Sequence, residues 1–163
     1  MSHLKKIENK IFTINTLKVK TERWKSLGHQ IVFTNGCFDI VHKGHIEVLC
    51  KSADLGEKLI VGLNSDKSIK KLKGKNRPIK DEHSRAMLLS SFHFVDAVIL
   101  FSEDTPIKLI RELKPDILAK GGDYKIEEIA GHKIIEETGG EVRLIPFIEG
   151  YSSTKIIKKI KQK

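Results

Sequence analysis

The stretch IVFTNGCFDIVHKGH, residues 31–45, decides the fold. It opens on three consecutive apolar residues, Ile31, Val32 and Phe33, the signature of a strand buried on both faces. Thr34, Asn35 and Gly36 break the run. Further on, His42 and His45 bracket Lys43 and Gly44, and the hydrophobic period changes. Ile46, Leu49, Cys50 and Ala53 fall at i, i+3, i+4 and i+7, an amphipathic helix that Gly56 stops. A buried strand, a glycine turn and a helix in that order are the first half of a βαβ unit.

The same alternation runs outward along the chain. Apolar, β-branched runs at 58–63, 97–101, 116–119 and 141–145 join 30–34 to give about five strands. Helices fit between them. Asp81 caps one reaching Phe92, with Leu88, Leu89 and Phe92 inward. Thr105 and Pro106 start another, as N-cap and first helical residue, and Lys114-Pro115 ends it. A third runs from Ile126 to Thr138 and stops at Gly139-Gly140. Ser152 or Ser153 caps a last helix carrying Ile156, Ile157 and Ile160, and an amphipathic segment around Leu17 to Leu27 precedes the first strand. Repeated strand–helix alternation requires parallel strands joined by right-handed crossovers. The expected fold is α/β: a doubly wound, Rossmann-like parallel sheet with helices on both faces. One domain over 1–163 is expected, with 1–16 an N-terminal extension and 17–160 the core.

Hydrophobic residues make up 39% of the 163-residue chain and charged residues 31%, the balance of a soluble globular domain. No apolar run approaches the ~20 residues that span a bilayer, and the first six residues lack the apolar core of a signal peptide. Cys37 and Cys50 are too few for a disulfide framework and fit a reducing compartment, so a cytoplasmic protein with no membrane partner is expected. The net charge of +9 favours anionic ligands. Lys67, Lys70, Lys71, Lys73, Lys75, Arg77 and Lys80 crowd one segment that also holds Gly74 and Pro78, the composition of a loop able to close on an anion. The lysines at the end of the chain read as solubility. Aromatic residues are 6%, too few for base-stacking platforms, which argues against nucleic acid as partner.

Doubly wound sheets bind ligands at the carboxyl ends of their strands. After the first strand come Asn35, Gly36, Cys37, Phe38 and Asp39, then His42-Lys43-Gly44-His45 at a helix start. After the second come Asn64, Ser65 and Asp66; after the fourth, Lys120-Gly121-Gly122-Asp123-Tyr124; after the fifth, Glu149-Gly150-Tyr151-Ser152-Ser153-Thr154. Glycines let a ligand approach the backbone, helix N-termini attract anions, and imidazoles and hydroxyls donate to phosphate oxygens. Neither G-x-G-x-x-G nor G-x-x-x-x-G-K-[ST] is present. Simpler readings stand beside this one. The histidines suit half a zinc site, but no third histidine or cysteine pair stands at ligand spacing, so no metal ligand is assigned. They also suit capping or packing. Cys37 beside Phe38 reads as a small packing residue rather than a nucleophile, and Asp123 as a turn former.

The motifs FTNGCFDIVHKGH, LIVGLNSD, LKGKNRPI, VDAVILFSEDTPIKLI, KPDILAKGGDY and EGYSSTKII occur in that order from about Leu17 to Ile160. Together they resemble the cytidylyltransferase-like nucleotidyltransferases that carry an H-x-G-H motif, and within them the adenylyltransferase domain of bacterial ADP-heptose synthase. The lysine-rich K-M-S-K-S loop of class I aminoacyl-tRNA synthetases is missing. The resemblance implies transfer of AMP from ATP, with Mg²⁺ or another divalent cation, to D-glycero-β-D-manno-heptose 1-phosphate, giving ADP-heptose and pyrophosphate for surface glycan synthesis. Many relatives are fused to a sugar kinase domain; a chain of this length has no room for one, so a stand-alone transferase is expected, and relatives are commonly homodimers. His42, His45 and Lys43 take the catalytic role. Asn35, Gly36, Cys37, Phe38, Gly44, Lys120, Gly121, Asp123, Tyr124, Ser153 and Thr154 form the nucleotide site. Asp39, Asn64, Asp66, Lys71, Arg77 and Arg85 form the acceptor site, with Arg85 in the place of a phosphate-contacting arginine. Glycerol-phosphate cytidylyltransferases carry R-T-E-G-I-S-T-S where this chain has Phe147 to Thr154, without the arginine, which points to ATP over CTP. Glycerol 3-phosphate cytidylyl transfer, FAD synthase-like adenylyl transfer and a non-catalytic nucleotide- or nucleic-acid-binding module remain as alternatives.

Overall fold

The computed structural model describes residues 1–146 and 152–161. Six parallel strands form one sheet in the order β1-β4-β3-β2-β5-β6. They are β1 (Ile11–Phe12), β2 (Ile31–Gly36), β3 (Lys58–Asn64), β4 (Ala97–Phe101), β5 (Ile117–Gly121) and β6 (Glu141–Ile145). Five are the expected ones. The sixth, β1, is an edge strand of two residues, Ile11 paired with Val98 and Phe12 with Ile99, too short to show a period. It lies inside the segment expected to be an extension.

Alternation along the strands divides the core in two. Ile31 and Phe33 of β2 pack with Ile60, Ile99 and Leu118 beneath α2 (Ile14–Ser26), α6 (Ile107–Leu113) and α7 (His132–Glu137). Val32 packs on the other face with Val61, Val98 and Ala119 beneath α3 (Lys43–Ala53) and α5 (Glu82–Ser91). The inner strands β2 to β5 are thus buried on both sides, which is why their sequences are apolar nearly throughout; edge strand β6, expected to read the same way, instead exposes Glu141, Arg143 and Leu144. Three further helices complete the described residues: α1 (His3–Glu8) before β1, α4 (Asp66–Lys73) after β3 and α8 (Ser153–Lys161) after β6.

Three expected elements differ in detail. Residues 66–73 of the basic segment are a helix, α4, capped by Ser65, whose side chain accepts from the Ser68 amide; only the part after Gly74 is a loop. Helix α6 starts one residue late, with Pro106 itself at the N-cap. The helix expected over 126–138 is a short 3-10 turn, Ile126–Glu128, followed by α7. Gly131 separates them at φ +97°, and a Cβ there would sit 2.5 Å from Ile110 Cδ1, so the break is set by close packing on α6. Asp81 caps α5 as expected, its carboxylate accepting from the Ser84 amide at 2.9 Å.

Strand order reverses at β2, which has β3 on one side and β5 on the other. The β2–β5 ladder covers only Val32 with Ile117 and Phe33 with Leu118. Beyond that the two strand ends part, and a crevice opens where such a fold places its ligand.

Candidate active site

A cleft of about 340 Å³ occupies that crevice. Five elements contribute walls: the end of β2 and the turn after it, the start of α3, the end of α4, the end of β5, and the start of α8. A larger hollow lies at the opposite, amino end of the sheet around Gly28 and Gly140, but it is this cleft that gathers His42 and His45.

His42 is the N-cap residue of α3, with extended backbone, and His45 lies in the first turn. That spacing of three brings the rings onto one side of the helix start, stacked with centroids 3.9 Å apart. The Phe38 ring backs His45 at 5.4 Å. Phe38 takes φ +46°, an uncommon conformation for a bulky residue. Gly36 makes room for it: a Cβ at 36 would meet the Phe38 ring at 3.0 Å. Burial lowers the pKa of His42. Burial first, then His42 and Lys73, push His45 down to about 4, with the Ile40 carbonyl opposing. At neutral pH both imidazoles are therefore largely uncharged. His45 Nδ1 is buried and makes no hydrogen bond among the described residues.

Two lysines supply charge. Lys120, at the end of β5, spans the crevice to Asn35 Oδ1 at 3.2 Å, and burial lowers its pKa while Cys37 opposes. Lys73, the last residue of α4, reaches the cleft from the other side. Lys43 is exposed and Gly44 buried at the start of α3. At the mouth, Ser153 donates to the Ile40 carbonyl at 3.0 Å, which pins the start of α8 to the β2–α3 turn and sets Ser152, Ser153 and Thr154 along the wall. Gly121 and Tyr124 line the remaining side.

The structure thus brings together Asn35, Gly36, Cys37, Phe38, His42, Gly44, His45, Lys120, Gly121, Tyr124, Ser153 and Thr154. Asp123 is exposed and stands outside the wall. Glu149, Gly150 and Tyr151 lie outside the described residues.

The residues expected to hold the acceptor are placed differently. Arg85 is fully buried and offers no surface to a ligand. Its Nη1 donates to the carbonyls of Cys37 at 2.7 Å and Asn64 at 2.8 Å, Nε to the Lys80 carbonyl at 3.0 Å, and Nη2 to Asp66 at 2.8 Å. It ties together the ends of β2 and β3 instead of facing the cleft. Asp39 is also buried and is spent on Arg77, Ile79 and Lys80. Arg77 meets Asp39 through Nε, while its Nη2 is buried without a hydrogen bond among the described residues. Asn64 donates to Ser68 Oγ at 2.9 Å. Lys71 pairs with Asp104 in the open, away from the wall. None of these six lines the cleft.

The wall also holds Thr34, Val48, Lys73 and Ser152, which the sequence reasoning did not single out as site residues. Lys73 belonged to the recognised basic cluster, but the segment's helical phase, which selects it, was not read. Among the described residues no group of three histidine, cysteine or acidic side chains could hold a metal, and no helix is long and apolar enough to cross a membrane.

Comparison with known proteins gives the chain's relatives. The bifunctional protein HldE of Campylobacter jejuni is 53% identical over 163 residues, all of this chain and 33% of that protein. HldE of Citrifermentans bemidjiense is 48% identical over 153 residues, 94% of this chain and 31% of that one. The chain spans about a third of the length of these curated relatives. The crystal structure of the lipopolysaccharide core biosynthesis protein from Thermoplasma volcanium superposes with a TM-score of 0.61 at 38% identity, covering 77% of this chain and all of that one. Residues 33–159, from the strand before the histidine turn into the last helix, match the cytidylyltransferase-like family, and the chain belongs to that family.

Proposed function

We propose that the chain is a nucleotidyltransferase that moves AMP from ATP to D-glycero-β-D-manno-heptose 1-phosphate, releasing pyrophosphate and ADP-heptose. The observation that carries this reading is the stacked His42–His45 pair in a cleft walled by glycine, lysine and hydroxyl groups at the carboxyl end of the sheet. No carboxylate lines that wall among the described residues, which suits a polyanion. The acceptor phosphate oxygen is already an anion and needs no general base. It attacks the α-phosphorus in line, the bond to the bridging oxygen breaks, and its electron pair leaves with pyrophosphate. Catalysis is then positioning and charge neutralisation. His42 and His45 donate to the α- and β-phosphate oxygens. Lys73, Lys120 and Lys43 balance the negative charge, and Ser153 and Thr154 close over the phosphates. Mg²⁺ arrives with the triphosphate as part of the substrate.

The choice of acceptor is supported by the similarity to HldE and by the lipopolysaccharide core role named for the Thermoplasma protein. The choice of base is supported by Phe147, which stands where the glycerol-phosphate cytidylyltransferases carry an arginine. A cytoplasmic homodimer belongs to the same reading. The test is pyrophosphate release from ATP or CTP, each offered with heptose 1-phosphate, glycerol 3-phosphate or FMN. Release with ATP and the heptose phosphate alone is expected. Release with CTP and glycerol 3-phosphate, or with ATP and FMN, assigns a different acceptor, and release with no pair leaves only a binding module.

A further inference from the structure

Asp39 sits within the β2–α3 turn, between residues that form the cleft wall, yet it is not part of that wall. Its side chain is 1% exposed. One oxygen accepts from Arg77 Nε at 2.6 Å. The other accepts from the amides of Ile79 at 2.7 Å and Lys80 at 3.1 Å. Burial raises the carboxyl pKa, but the Lys80 amide, Arg77 and the Ile79 amide more than offset it, so the group is held ionised. A carboxylate beside a phosphate site would repel the ligand; one spent on three donors behind the turn does not.

The donors all belong to segment 74–80, which leaves the end of α4 directly after Lys73. Arg85 clamps the same segment at the Lys80 carbonyl and clamps the turn at the Cys37 carbonyl. The turn and the segment are therefore fixed to each other from behind, and the segment begins at the lysine whose charge acts on His45. We propose that Asp39 is a positioning residue: through Arg77 and the amides of Ile79 and Lys80 it docks segment 74–80 onto the β2–α3 turn, and so keeps the Lys73 ammonium in the cleft beside His45. Its consequence for turnover rests on the cleft being the phosphate site; its consequence for His45 does not.

The test compares Asp39→Asn, Lys73→Met and the double variant in the full chain, with the His45 titration midpoint followed by NMR. The groups that bear on His45 are His42 on its own helix, Lys73 from α4 and the Ile40 carbonyl. Removing Lys73 lifts the midpoint by about half a pH unit, the scale for one charge acting across a solvated cleft. Asp39→Asn is expected to give a rise of similar size, and the double variant no more than Lys73→Met alone. The losses in kcat/KM follow the same rule, so the double variant is no slower than Lys73→Met. An unmoved midpoint in folded Asp39→Asn, or rises that add in the double variant, overturns the proposal, because a residue that only supports the fold acts independently of Lys73. Should Asp39→Asn fail to fold, Arg77→Gln keeps both backbone bonds to Asp39 and is read against Lys73→Met in the same way. A wild-type chain that releases no pyrophosphate removes the functional reading and leaves the midpoint comparison standing.

Discussion

Nucleotide binding is expected to draw a proton into the cleft. Burial, His42 and Lys73 push the His45 pKa down to about 4. At pH 6 only about 1% of it is then charged. A bound triphosphate reverses the balance, because it places negative charge against a ring that Lys73 and His42 hold uncharged. If the anion does no more than restore the ordinary value near 6.5, about three quarters of His45 is charged at pH 6, and binding takes up roughly 0.7 proton. Calorimetry with the α,β-methylene analogue of ATP, without acceptor, avoids turnover. The enthalpies in two buffers of unlike ionisation enthalpy then give the proton count. His45→Gln keeps a donor that cannot titrate, and protonation of the nucleotide itself is common to both proteins and subtracts. Equal buffer dependence in the wild type and His45→Gln refutes the reasoning.

The sign for stability is opposite. Without ligand the unfolded chain binds the His45 proton more readily than the folded one. This contribution is therefore fully present above about pH 6.5 and is lost as pH falls towards 4. Acid thus weakens the free fold while strengthening its grip on a polyphosphate, and the rise in Tm on adding nucleotide is larger at pH 6 than at pH 7.5.

Other perturbations separate contacts from supports. Arg85→Met leaves three carbonyls and Asp66 without their buried donor, so a loss of about 3–5 kcal/mol is expected in urea unfolding; a loss near 1 kcal/mol contradicts the network described for it. His45→Ala is expected to lower kcat by more than about 100-fold, the scale for one lost donor to developing charge, and turnover near wild type with intact folding removes His45 from the mechanism. Cys37→Ser is expected to stay active, since the bond that holds residue 37 is made by its carbonyl and not by its thiol; inactivity in a folded protein reinstates the cysteine as a reacting group.

What was legible in the sequence, and what was not, follows from how far apart the deciding partners lie. The strand–turn–helix unit at residues 31–45 was readable because period, glycine and histidine spacing all sit within one short stretch. Strand β1 was not, because two residues carry no period. Helix α4 was hidden by its own lysines: it buries only Ser68 and Ile69, too little apolar surface to show helical spacing. The same helix decides which lysine faces the cleft. Lys71 and Lys73 are two residues apart, which on a helix turns them about 200° from each other. One therefore pairs with Asp104 in solvent while the other enters the cleft.

Asp39 shows a different limit. Its neighbours in sequence line the cleft, and by adjacency it reads as a site residue too. Its actual partners lie 38 to 41 residues away. Charge alone gives a way to choose between the two readings without those partners. A site built to hold a triphosphate has no use for an unneutralised carboxylate on its wall. An aspartate that falls inside a phosphate-binding turn therefore has two roles open to it: ligating a cation with the nucleotide, or facing away to meet a cation of the protein. The basic segment at 67–80, with Arg77 among its lysines, supplied that cation in plain view. Here the second role holds, and the same carboxylate that would have weakened the site instead fixes the segment that brings Lys73 to it.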